Sequence, residues 1–219
     1  MTKLEVFDFY MPAIHHLVEE FEFGNFLFED RTRDGFRKWR ADKGGADGYK
    51  YLASVGLDID YGMTKVVLIG ECNYVLKIPF EGLRFDYCKL EVSNYRKAQE
   101  FGVEGYFAAC DFLTELEDEE SDNCVPIYIM EKVKVNEAAL TQTIIKDYPA
   151  ISSDYEIARY PEDGIREEAA LDFLAEEYGD NYNTFYDFIC DQGINDIHGA
   201  NIGLAARGWV VCDYSSYVG

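Results

Sequence analysis

Basic residues are scarce in this sequence: 20 Lys and Arg stand against 42 Asp and Glu, a formal net charge of -22. A surface of that sign repels nucleic acid and anionic lipid, so neither a nucleic-acid nor a membrane partner is expected. Histidine is almost absent, with only His15, His16 and His198, and the six cysteines contain no C-x-x-C pair. A zinc module with paired ligand spacing is thereby excluded. A secreted disulfide framework calls for a shorter and cysteine-denser chain. Cys72, Cys88, Cys110, Cys124, Cys190 and Cys212 therefore read as buried reduced thiols. No apolar run approaches membrane-spanning length. Glu5 and Asp8 interrupt the N-terminus before an apolar stretch develops, unlike a signal peptide. These absences predict a cytoplasmic protein. What the 219 residues do contain, 48% hydrophobic and 16% aromatic, is ample for a packed core.

Periodicity divides the chain. Met11, Ile14, Leu17, Val18 and Phe21 recur at mixed three- and four-residue spacing, which predicts an amphipathic helix within residues 8–28. The glycines at 44, 45 and 48 predict a turn. Short β-branched and aromatic runs then predict strands at 51–55, 64–69 and 74–78, a helix at 86–100, and strands at 107–113 and 125–132 around an acidic turn at 115–122. From there the pattern is helical, at 136–146, 165–178 and 181–192, with Gly193 as a stop. Two β segments, 201–204 and 209–212, flank a turn at 206–208. The fold class is α+β.

The chemistry concentrates in a few positions. Asn195-Asp196-Ile197-His198-Gly199-Ala200-Asn201 places an acid and an amide on one tight loop, and Asp213 stands in the apolar stretch Trp209-Val210-Val211-Cys212-Asp213-Tyr214-Ser215. On such a loop an Asp can hold a hydroxyl nucleophile and an Asn a Mg2+ ion, while an Asp ending a buried strand supplies another hard oxygen. Lys77, in Tyr74-Val75-Leu76-Lys77-Ile78-Pro79, is an ammonium among aliphatic neighbours and needs an anionic partner.

Together these residues resemble the protein-kinase-like superfamily, whose catalytic loop reads D-x-x-x-x-N and whose metal triplet reads D-F-G. Asp196 and Asn201 hold the loop positions here, and Asp213, Tyr214 and Ser215 the triplet. His198 makes the loop D-x-H-x-x-N, similar to aminoglycoside phosphotransferases and choline kinases, where the imidazole supports the loop. The resemblance implies a two-lobed fold: an N-terminal helical extension at 1–49, a five-stranded antiparallel small lobe with one helix at 50–133, and a reduced helical large lobe at 134–219. It further implies ATP and Mg2+ as cofactors. Lys77 would hold the α- and β-phosphates and pair with a glutamate on the following helix, with Glu91 the candidate and Glu100 and Glu104 the alternatives. Gly62, with the amides of Met63 and Thr64, would approach a phosphate. Met130 would be the gatekeeper, and the Glu131 carbonyl and Val133 amide would read the adenine edge. Asp196 would orient the attacking hydroxyl, and Asn201 and Asp213 would hold Mg2+.

The function so implied is transfer of the γ-phosphate to a hydroxyl, on a protein rather than a small molecule, in a minimal kinase of the kind found among bacterial effectors and phage-encoded proteins. Two other readings stay open: a pseudokinase that binds nucleotide or protein without turnover, and an acidic mimic of a charged ligand. The shortened second half leaves helix faces that residues 1–49, a partner protein or self-association would cover. The aromatic series Phe21, Phe23, Phe26, Phe28, Phe36 and Trp39 is either that contact surface or core.

Overall fold

A computed structural model describes residues 1–118 and 121–215. The chain forms two units, one of Met1–Val92 with Cys110–Lys132 and the other of Ser93–Ala109 with the chain from Val133 onward.

The first unit begins with helix α1 (Lys3–Glu20), started by a capping box in which the Thr2 hydroxyl accepts from the Glu5 amide and the Glu5 carboxylate accepts from the Thr2 amide. After a π-helical turn (Asn25–Glu29) come α2 (Arg33–Ala41) and α3 (Lys43–Ser54). Five antiparallel strands follow: β1 (Asp58–Tyr61), β2 (Lys65–Ile69), β3 (Tyr74–Pro79), β4 (Cys110–Glu117) and β5 (Cys124–Glu131), in the order β1-β2-β3-β5-β4. Their register puts Val66, Leu68, Leu76, Ile78 and Ile129 on one face, and Lys65, Val67, Lys77 and Tyr128 on the other. The aliphatic face shares a single core with Tyr10, Ile14, Leu17, Phe26 and Phe36 of the N-terminal segment. The Tyr10 hydroxyl pins α1 to the sheet, donating to the Tyr74 carbonyl at 2.6 Å and accepting from the Gly70 amide at 3.2 Å.

Two expectations are corrected in this unit. The glycines at 44–48 do not make a turn, and residues 51–55 are not a strand, because the glycines and residues 51–54 lie in α3 and Val55 is its C-cap. Glycine serves close approach there: a Cβ on Gly45 would stand 1.9 Å from the Trp39 carbonyl oxygen, and one on Gly48 would stand 3.1 Å from side-chain atoms of Leu17 and Trp39. Gly45→Ala is accordingly expected to destabilise the fold by about 1–3 kcal/mol, the usual range for overpacking; chemical denaturation giving a wild-type midpoint would refute this account of α3. The first strand is Asp58–Tyr61 instead, where Leu57 and Ile59 are buried between exposed Asp58 and Asp60. Of the two readings open for the aromatic series, Phe23, Phe26, Phe36 and Trp39 take the core, with rings packed in series at centroid distances of 4.7 to 5.4 Å. The helical N-terminal segment thus runs to Ser54 and shares its core with the strands, where the sequence reading ended it at 49.

The second unit takes the C-terminal part of α4 (Tyr87–Phe101) and then β6 (Lys134–Val135), α5 (Glu137–Asp147), α6 (Pro149–Asp154), α7 (Glu167–Tyr178), α8 (Tyr182–Gln192), β7 (Ile202–Ala205) and β8 (Gly208–Val211). The three strands form a separate antiparallel sheet in the order β6-β7-β8. Phe107, Phe185, Phe188 and Tyr214 build its aromatic core, with Phe107 4.9 Å from Tyr214. Gly193 ends α8 with φ 64°, a left-handed conformation that glycine adopts without strain. Helix α6, opened by Pro149 at its first turn, was not foreseen. All six cysteines are free; Cys72, Cys88, Cys110 and Cys212 are buried as expected. Cys124 and Cys190 are exposed, the latter because α8 turns Phe185, Phe188 and Ile189 inward and leaves position 190 outside that stripe. Among the described residues no helix is long and apolar enough to cross a membrane.

Candidate functional site

In the first unit, sheet register places Lys77 on the face opposite the aliphatic core, where α4 presents Glu91. The Lys77 Nζ donates to both Glu91 carboxylate oxygens, at 3.1 and 3.0 Å, and lies 3.0 Å from the Met130 Sδ. Both ends are dry, with side-chain exposures of 7% for Lys77 and 1% for Glu91. Glu91 therefore takes the role for which Glu100 and Glu104 were alternatives. A second cation, Lys65, was missed: its Nζ donates to Glu91 Oε1 at 2.6 Å with 5% side-chain exposure. The signal lay in the alternation of β2, because Lys65 has the same parity as Val67, and Val67 is the cross-strand partner of Lys77. A strand's partner register is not legible in its own residues, so the link could not be drawn. The neighbouring Cys88 is pushed well above the ordinary thiol range by burial, against the pull of Lys65, and stays a neutral thiol.

The other expected phosphate and base contacts of this unit lie nearby in sequence. Gly62 and Thr64 occupy the tight β1-β2 connection, where the Gly62 amide donates to the Lys65 carbonyl at 3.0 Å and the Thr64 carbonyl accepts from the Phe80 amide at 2.9 Å. Met130 is buried in β5 opposite Val75, and Glu131 ends that strand opposite Tyr74. Val133 belongs to the second unit instead, with its side chain against Gly203, where a Cβ would meet it at 2.5 Å.

In the second unit, Ile194, Ile197 and Ile202 are buried and anchor the loop that carries Asp196, His198 and Asn201. Gly199 lets that loop pass close to α5: its amide donates to the Ile165 carbonyl at 2.8 Å, and a Cβ would stand 2.8 Å from both Glu137 Oε1 and the Ile165 Cβ. The Asn201 Nδ2 donates to the Asp196 carbonyl at 2.8 Å and lies 3.5 Å from Asp196 Oδ2. The amide nitrogen faces into the loop, so the carbonyl oxygen of the same planar group points away from it. The His198 Nδ1 accepts from the Ala200 amide at 3.3 Å, and its Nε2 lies 3.2 Å from Asn201 Nδ2 and 3.6 Å from Asp196 Oδ1. This is a supporting role of the kind expected for His198.

The β7-β8 hairpin brings Asp213 beside this loop. Ile202 pairs with Val211, and the Cys212 amide donates to the Asn201 carbonyl at 2.8 Å, so the positions expected to share a metal stand on adjoining chain ends. Asp213 adopts φ 59°, a left-handed backbone uncommon outside glycine and concentrated at functional positions. Its neighbour Tyr214 is fixed, donating from its hydroxyl to the Ala108 carbonyl at 2.6 Å and accepting at its own carbonyl from Asn94 Nδ2 at 3.0 Å. Among the described residues no three His, Cys, Asp or Glu side chains gather as a metal cage. A carboxylate and an amide oxygen are the hard-oxygen donors that a Mg2+ ion would accept, with water filling the rest of its shell.

In comparisons with known proteins, no family model, no curated protein and no solved structure matches this chain.

Proposed function

We propose that this chain is an ATP- and Mg2+-dependent phosphotransferase of protein-kinase-like fold, moving the γ-phosphate to a hydroxyl acceptor. The observation that carries the reading is the buried Lys77–Glu91 pair, which the motif anticipated across two separate elements. Burying an ion pair seldom stabilises a fold more than apolar packing would, so a dry ammonium held by a carboxylate has a natural use in receiving an anion.

In this reading Lys77 takes the α- and β-phosphate oxygens while Glu91 fixes its direction. Asn201 and Asp213 would hold Mg2+, which when bound offsets charge on the phosphate oxygens. Met130, the Glu131 carbonyl and the Val133 amide would border the base, and Gly62 and Thr64 the phosphates. Asp196 orients the acceptor and receives its proton. The acceptor oxygen forms a bond to the γ-phosphorus as the bond to the β,γ-bridging oxygen breaks, and ADP leaves. Because the transferred group is loosely bonded in the transition state, position and charge do most of the work.

A second reading, a nucleotide- or protein-binding module without turnover, is favoured by the β1-β2 connection. The Gly62 amide is already engaged with the Lys65 carbonyl, so this turn offers a phosphate less than a wide glycine loop would. Thermal shift with ATP, with and without Mg2+, joined to release of labelled phosphate, separates the two. Stabilisation with turnover supports the enzyme, stabilisation alone supports the module, and no stabilisation refutes both.

Asp213→Asn tests the metal role without disturbing the backbone. Asn tolerates φ 59° nearly as well as Asp, so the variant should fold with wild-type stability to within about 1 kcal/mol, whereas Asp213→Val should lose about 1–2 kcal/mol. The Mg2+-dependent part of the ATP-induced shift should disappear in Asp213→Asn. Its persistence would remove Asp213 from the metal set.

A further inference from the structure

We propose that Lys65 is a second polyphosphate-binding residue, and that Glu91 holds Lys65 and Lys77 as a pair until a polyanion arrives; this rests on the phosphotransferase reading above. Lys65 stands opposite Pro79 and Lys77 opposite Val67, so the two project from the same sheet face on adjacent strands. Both ammonium groups reach one oxygen, Glu91 Oε1, at 2.6 and 3.1 Å, and Lys77 also reaches Oε2 at 3.0 Å. A single Lys–Glu pair must give up part of its contact when the lysine turns to a phosphate, exposing a buried carboxylate to an incoming anion. Here either lysine can turn while the other keeps Glu91 neutralised. Each step then leaves every buried charge with a partner, which is the condition for moving charges in a dry site.

Two ammonium groups on one carboxylate also suit a ligand with two adjoining phosphates better than a ligand with one. Lys65→Met leaves the Lys77–Glu91 pair in place and should fold. It is expected to weaken ATP and ADP binding about tenfold or more, the usual consequence of losing a charge-assisted hydrogen bond, while AMP binding changes little. In turnover the loss should fall on KM for ATP, and Lys65→Arg should restore most of the affinity, which a purely structural role for Lys65 would not produce. Titration calorimetry with ATP, ADP, AMP and tripolyphosphate, each with Mg2+, reads these effects.

Wild-type protein that binds ATP with Lys65→Met unchanged, or with ATP and AMP weakened equally, overturns the inference and keeps the phosphotransferase reading. Binding of tripolyphosphate that depends on Lys65, without any binding of ATP, keeps the inference and overturns the nucleotide reading. Binding of neither overturns both.

Discussion

Glu91→Ala is expected to lower the unfolding free energy by about 3–5 kcal/mol, the range for removing one partner of a buried charged group. The carboxylate is 1% exposed and receives hydrogen bonds from two ammonium groups that are themselves 5% and 7% exposed. Without it Lys65 and Lys77 lose the carboxylate they share, in a site too dry for water to replace it cheaply. Glu91→Gln keeps an acceptor of the same shape and should fall between alanine and wild type. Replacing all three residues together by apolar side chains of similar size should recover most of the loss, because buried ion networks are rarely more stabilising than good packing. Urea denaturation measures the series. An alanine variant within about 1 kcal/mol of wild type would mean that the three side chains are not the dry cluster described.

Asp196→Ala should reduce phosphoryl transfer by about 10²- to 10⁴-fold, the contribution usual for a positioned acid or base. ATP affinity should stay within about threefold, since an interaction made only with the reacting hydroxyl is absent from the ground state. The alanine variant is a clean probe because Asn201 is oriented mainly by the Asp196 backbone carbonyl, at 2.8 Å, a bond that survives the substitution. The 3.5 Å approach to the Asp196 carboxylate is lost, and it is the weaker of the two. Single-turnover phosphate transfer with parallel nucleotide titration gives both quantities. Equal turnover in variant and wild type would strip Asp196 of its assigned role, and a parallel collapse of ATP binding would make the residue structural.

The parts of the architecture legible in the sequence are those with a strong local period. Strands β2 and β3, the Glu91-bearing helix α4 and helices α5, α7 and α8 were all expected within a few residues of where they lie. Helix α3 was misread because its glycines look like turn residues until Trp39 and Leu17 are seen pressed against them. Strand β1 was hidden by its outward carboxylates, Asp58 and Asp60, which resemble a polar loop more than one face of a sheet. The site was legible where its geometry is local. Asp196, His198 and Asn201 lie within one short loop, and the contacts of Asn201 with the other two follow from that spacing.

By itself the sequence determined the α+β class, the helices and strands with clear periodicity, the acidic net charge and the carboxylate, amide and ammonium groups of the candidate site, because hydrophobic periodicity and side-chain chemistry act over a few residues or one turn. Only the tertiary structure decided that Lys65 joins Lys77 on Glu91, that the N-terminal aromatics are interior, and that Asp213 is held at φ 59° beside the Asn201 strand end. Those facts depend on strand register and on packing between positions far apart in the chain. A register shift of one residue would turn Lys65 and Lys77 to the other side of the sheet without changing a single local preference.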